Sequence, residues 1–125
     1  MIGMTKNNNN FEVLYDSQIE FQKLVNKNIG YEKKSIVELP SDNPKLVSYH
    51  VQQLISEIGE VLAADKRWKN YRNVFVDVEN KKEEIADCFI VLMNIAIYSG
   101  MSSEELFEQI ENKIKKNFDR INGEA

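Results

Sequence analysis

One cysteine and one histidine occur in 125 residues, and both scarcities exclude chemistry. With Cys88 alone no internal disulfide can form, which favours a reducing, cytoplasmic setting and makes Cys88 an expected core residue. With His50 as the sole imidazole, a His/Cys zinc centre is ruled out. A diiron carboxylate bundle is ruled out as well, because it needs Glu-x-x-His on two helices and Val47 stands three residues before His50. Long apolar runs are absent too. The longest, Ile85 to Tyr98, falls short of the ~20 residues of a membrane span and contains Asp87 and Asn94. Positive charge is in short supply: the net charge of −4 argues against a groove that neutralises many phosphates, so neither nucleic acid nor membrane is an expected partner. Met1 to Lys6, followed by Asn7 to Asn10, lacks the apolar segment of a secretory signal, and residues 1–10 read as a disordered tail.

The remaining chain, 11–125, has the length and apolar content of one all-α domain, a bundle of four to five helices. From Phe11 to about Lys27, the residues Phe11, Leu14, Phe21 and Val25 recur as one helical stripe with Gln18 in its middle. A Gln so placed is either tied to a neighbouring backbone or reads a ligand. Residues 28–43 are polar and broken by Gly30 and Pro40, which predicts a long connection containing one helical turn. Asn43-Pro44 makes a helix start, followed by Val47, Val51, Leu54, Ile55, Ile58, Val61 and Leu62 as an amphipathic face to about Lys66. Trp68-Lys69-Asn70-Tyr71-Arg72 breaks the pattern, with rings and cations that suit either a bound ligand or a docked surface turn. Val74 to Val78 could be a short extended piece. A third helix is expected from about Asn80 to Ser99 with Gly100 as its C-cap. Ser102 and Glu105 form a capping box for a fourth, whose stripe is Leu106, Phe107, Ile110, Ile114, Phe118 and Ile121.

Two acidic pairs stand out against this frame. Glu57 and Glu60 are spaced i, i+3 on the second helix, and Glu84 and Asp87 have the same spacing on the third. Each pair therefore lies on one side of its helix. If the helices run antiparallel, four carboxylates meet, and a hard divalent cation is the natural occupant: Mg²⁺, with Mn²⁺ as substitute. Asp87 and Asn94 are the strongly polar residues of a helix that is otherwise apolar from Ile85 to Tyr98. Such a helix is expected to be covered on several sides, by its own domain and by another subunit, as in a homodimer or a dimer of dimers. A carboxylate buried in it must be protonated, paired or metal-bound.

The order Glu57-x-x-Glu60, Glu84-x-x-Asp87, Asn94 and a closing helix from Asn112-Lys113 to Phe118 resembles the MazG-like, all-α nucleoside triphosphate pyrophosphohydrolases, the superfamily of the dimeric dUTPases and dCTPases. The resemblance covers roughly residues 45–121, with a weaker echo in Leu14-Tyr15-Asp16-Ser17-Gln18. Where dimeric dUTPases carry a further acidic residue after the first motif, this chain has Ala63-Ala64-Asp65. The resemblance implies Mg²⁺-dependent cleavage of a nucleoside triphosphate to the monophosphate and pyrophosphate, as in nucleotide-pool housekeeping. It implies Glu57, Glu60, Glu84 and Asp87 as metal ligands, with Glu60 also orienting or deprotonating water. Substrate contacts are then expected from Gln18, Trp68, Lys69 and Asn94, and from Lys113, Lys116 and Arg120, whose other reading is a solvated basic face. Two non-catalytic readings stay open: a helical oligomer with solvated acidic stripes, and a nucleotide-binding regulatory module.

Overall fold

The computed structural model describes residues 10–29, 38–69 and 76–123. Four α-helices account for most of them: α1 Asn10–Asn28, α2 Pro44–Ala64, α3 Val78–Ile97 and α4 Ser103–Ile121, with a single 3₁₀ turn at Lys66–Trp68 after α2. Among the described residues no strand forms, so the all-α bundle holds. No helix is long and apolar enough to cross a membrane among those residues. The expectations for the N-terminal tail before Asn10, for the part of the 28–43 connection that spans 30–37, and for Tyr71, Arg72, Val74 and Phe75 fall outside the described residues, and no helical turn forms in 38–43.

Local chemistry sets the helix boundaries. The Asn43 side chain accepts from the Leu46 N–H at 3.2 Å, with Pro44 opening α2. Helix α3 begins two residues before its expected start because Asp77, accepting from the Asn80 N–H at 3.1 Å, is the cap. Val78 is therefore helical and not part of an extended piece. At the far end the chain turns through Gly100 at φ +80°, a conformation that L side chains rarely adopt. The Ser102–Glu105 capping box is present, at 3.2 and 2.9 Å.

Helices α2 and α3 pack antiparallel and are tied at both ends. Near the start of α2, the N–H groups of Ser41 and Asn43 donate to the carbonyls of Ile97 and Tyr98 at 3.1 and 2.7 Å. Near its end, the Lys81 ammonium reaches the Asp65 carboxylate at 2.7 Å, and the Asp77 N–H donates to the Ala64 carbonyl at 3.4 Å. Arg67 grips the same Asp65 through Nε and a terminal nitrogen at 2.9 and 2.8 Å. Together these cations hold Asp65 well below the usual carboxylate range, the Arg67 contribution being larger than that of Lys81.

The core gathers Tyr15 and Ile19 of α1, Leu39, and Ala96, Ile97 and Tyr98 at the end of α3. Helix α1 buries Tyr15, Ile19, Gln22 and Asn26, not the stripe expected from apolar spacing. Phe11 packs against this core and meets Phe107 of α4 at 5.8 Å, but Leu14 and Phe21 are exposed. The reason is that α1 turns a polar ladder inward: Tyr98 Oη donates to Gln22 Oε1 at 2.8 Å and accepts from Asn26 Nδ2 at 3.1 Å. In the single chain α3 leaves Ile85, Phe89, Ile90 and Leu92 exposed, so its own domain covers only part of its surface. Cys88 is half-buried and not in the core. Helix α4 joins the body through α1, and its stripe opens progressively, from Phe107 at 36% exposed to Ile121 at 87%.

Replacing Tyr98 by Phe keeps the ring but strips both amides of their hydroxyl partner. The expected loss is about 1–3 kcal/mol of stability, the cost of leaving buried polar groups unsatisfied, measured by urea unfolding.

Candidate functional site

Between α1, α2 and α3 lies a cavity of about 580 Å³. At the base Tyr98 stacks on the buried His50 with ring centroids 5.3 Å apart and planes 8° from parallel. His50 Nδ1 lies 3.1 Å from Gln53 Oε1. Burial pushes the imidazole below its ordinary value, against an opposing effect of the Gln53 hydrogen bond, so the ring is neutral near pH 7. Amides follow: Gln18, Gln22, Asn26, Gln53 and Asn94 all line the space. Gln18 Nε2 donates to Asn94 Oδ1 at 2.8 Å, so the amide is held by a side chain and also faces the cavity. Apolar side chains, Phe21 and Val25 from α1, Ile29 just after it, and Ile90 and Val91 from α3, complete the wall.

The carboxylates stand at the edge of this space. Glu57 and Asp87 line the cavity, and Glu57, Glu84 and Asp87 each offer an oxygen, all within 4.8 Å of one another. None of the three has an ion-pair partner among the described residues. Burial, followed by Asp87, Glu60 and Glu57, raises the pKa of Glu84 above its ordinary value. Three hard oxygen donors so close, with no balancing cation among the described residues, fit Mg²⁺ or Mn²⁺ in charge and donor type. The antiparallel packing explains the meeting: residues two turns from one end of α2 face residues two turns from the matching end of α3.

Asp87 departs from its expected setting. It is exposed, so water solvates it and burial gives no reason for a cation. That reason now rests on its closeness to Glu57 and Glu84. Glu60, one turn along α2, is exposed and lies outside the close trio, though near enough to raise the Glu84 pKa. The Cys88 thiol is also pushed up, by burial and then by Glu57, Asp87 and Glu84, which leaves it an unreactive neighbour.

Several expected contacts are not brought to the cavity. Trp68 Nε1 donates to the Leu62 carbonyl at 3.0 Å, and Lys69 Nζ sits 5.4 Å from the Trp68 ring centroid. That is a docked surface turn, and neither residue lines the cavity. Lys113 and Lys116 border a shallow depression on α4 itself, and Arg120 is exposed further along the same helix. Within one chain the basic row and the acidic cluster are separate. Conversely, Gln22, Asn26, His50, Gln53 and Tyr98 were not singled out from sequence. The signal was Gln18, Gln22 and Asn26 at four-residue spacing, which puts amides one above the other on α1.

A metal-free pH test follows from Glu84. Its folded pKa lies above the ordinary 4.5, so ionising it opposes folding. The penalty is absent below the unfolded value, grows as pH rises through the folded value, and is complete above it. In EDTA, Glu84→Gln should therefore melt higher than the wild type at pH 7, with the difference vanishing toward pH 4.5. Equal melting curves at both pH values would count against the crowded cluster.

A family model described as dUTPase matches residues 10–123, nearly the whole chain. No curated protein and no solved structure gives a match.

Proposed function

The chain belongs to the dUTPase family, and from that premise we propose that it hydrolyses a nucleoside triphosphate, dUTP first among the candidates, to the monophosphate and pyrophosphate with Mg²⁺ or Mn²⁺. The observation that carries this reading is the continuity of the cavity with the carboxylate trio. A space of about 580 Å³ walled by rings and amides, with three close carboxylates at its edge, has the layout of a nucleoside pocket opening onto a polyphosphate site.

Each group then has a chemical task. Glu57, Glu84 and Asp87 hold the cation. When bound, Mg²⁺ neutralises polyphosphate charge and acidifies water at neutral pH. Glu60 lies beside the trio without joining it, which suits a carboxylate that orients the attacking water or takes its proton. Gln18 and Asn94 are already bonded to each other, which leaves Gln18 Oε1 and Asn94 Nδ2 to meet base or sugar atoms. A preorganised donor and acceptor of this kind discriminates by leaving buried polar groups unpaired when the wrong ligand enters. The neutral His50–Tyr98 stack supplies an uncharged floor, compatible with a neutral base.

Assembly is part of the proposal. Val51, Ile55, Ile58 and Leu62 on α2 and Ile85, Phe89 and Leu92 on α3 are 39–67% exposed. On both helices they lie roughly 150° around from the cavity-lining positions, at about 100° per residue. They form one apolar back face on the helix pair, and a contiguous exposed apolar face of this kind marks an interaction surface. Two copies joined back to back would bury it as a four-helix bundle and leave both cavities open outward. Phe89→Glu should shift the protein toward monomer in light scattering, and a wild type already monomeric at micromolar concentration would refute the assembly.

The test of function is a panel of nucleoside triphosphates with Mg²⁺, quantifying monophosphate and pyrophosphate separately. Turnover should be highest with a uracil nucleotide and fall at least ~100-fold in Asp87→Ala, as expected for loss of a metal ligand or its partner. Asn94→Ala should instead raise KM. Equal product from the wild type and Asp87→Ala would reject the site.

A further inference from the structure

Like charges crowd the end of the α2–α3 seam that has fewer backbone ties. Glu57 and Glu60 from α2 confront Glu84 and Asp87 from α3, and no cation of the described chain pairs with them. The far end of the seam is held by two backbone hydrogen bonds of 3.1 and 2.7 Å. At the near end the backbone link between Asp77 and Ala64 is long, 3.4 Å, and the chain connects the two helices through residues 65–77. The short tie is Lys81 Nζ to Asp65 Oδ2 at 2.7 Å, between side chains 28% and 18% exposed. Lys81 is one helical turn before Glu84, and Asp65 is little more than one turn after Glu60. Arg67 grips both oxygens of the same carboxylate and fixes its orientation.

We propose that Asp65 and Lys81 are positioning residues for the metal cluster, a side-chain clamp that keeps the two acidic helix faces at ligating distance before any cation arrives. The proposal rests on reading Glu57, Glu84 and Asp87 as the metal site. Without the clamp, repulsion among the carboxylates widens the seam, and a cation must then draw the helices together as it binds, which weakens its affinity. With the clamp, the trio is already within 4.8 Å. Isolated exposed ion pairs contribute little, but this one is partly screened from water and its carboxylate is held by two cations.

Lys81→Met gives a test in which two physical effects have opposite signs. Simple Coulomb attraction predicts tighter Mg²⁺ binding, because a positive charge near the acidic cluster has been removed. Loss of the clamp predicts weaker binding, by roughly 10-fold, the lower end of what outer partners of metal ligands cost when mutated. Calorimetric titration of MgCl₂ at 20 °C compares the wild type, Lys81→Met and Lys81→Arg, with melting curves in EDTA to verify that each is folded at that temperature. The expected result is Lys81→Met weakened about 10-fold and Lys81→Arg within about twofold of the wild type, since a guanidinium can keep the ion pair. Unchanged or tighter binding by folded Lys81→Met overturns the clamp and leaves the metal site standing, as does a Lys81→Arg variant as weak as Lys81→Met. A wild type that binds no Mg²⁺ overturns the metal reading itself.

Discussion

The structure depends on holding two acidic helix faces together against their own repulsion. Antiparallel α2 and α3 bring Glu57, Glu84 and Asp87 within ligand distance, where burial first and then the neighbouring carboxylates raise the Glu84 pKa. Apolar contact along the seam cannot by itself determine register, because it tolerates sliding. The ties at the two ends can: backbone hydrogen bonds where Ser41 and Asn43 meet Ile97 and Tyr98, and the Asp65–Lys81 ion pair at the other end. Because the ends are fixed, the carboxylates between them meet at one geometry.

The same seam forms one side of the cavity, and α1 closes the other with an unusual choice of side chains. In place of an apolar stripe it buries Tyr15, Ile19, Gln22 and Asn26. Burying amides is costly unless their hydrogen bonds are made, and here Tyr98 satisfies two of them while His50 stacks on its ring. Side chains that line the cavity also join α1 to the end of α3, and the fully buried Tyr98 serves both.

How much of this was readable in advance varies from residue to residue. The four helices were, since caps such as Asn43-Pro44 and Ser102–Glu105 and a 3.6-residue apolar period are local properties. The acidic pairs were readable as well, because spacing i, i+3 within a helix needs no partner to be meaningful. The inward face of α1 was not. Phe21 and Val25 satisfy the apolar period as well as Ile19 does, and only the presence of a cavity explains why they line it while Gln22 and Asn26 are buried. Asp87 was misplaced for a related reason. An apolar surrounding sequence suggests burial, yet its neighbours Ile85, Phe89 and Ile90 are themselves exposed in the single chain.

Sequence alone therefore determined which segments are helical, where α2 and α4 start, and which carboxylates share a helix face, all of which follow from backbone hydrogen bonding and the pitch of one helix. Tertiary structure alone decided which three of the four carboxylates stand within 4.8 Å, that Gln18 is bonded to Asn94 at the cavity wall, and that Lys113, Lys116 and Arg120 stay away from it. Those facts depend on the relative rotation and register of separate helices. Rotation and register are fixed by end-to-end ties and by packing between residues distant in the chain, and no helical period encodes them.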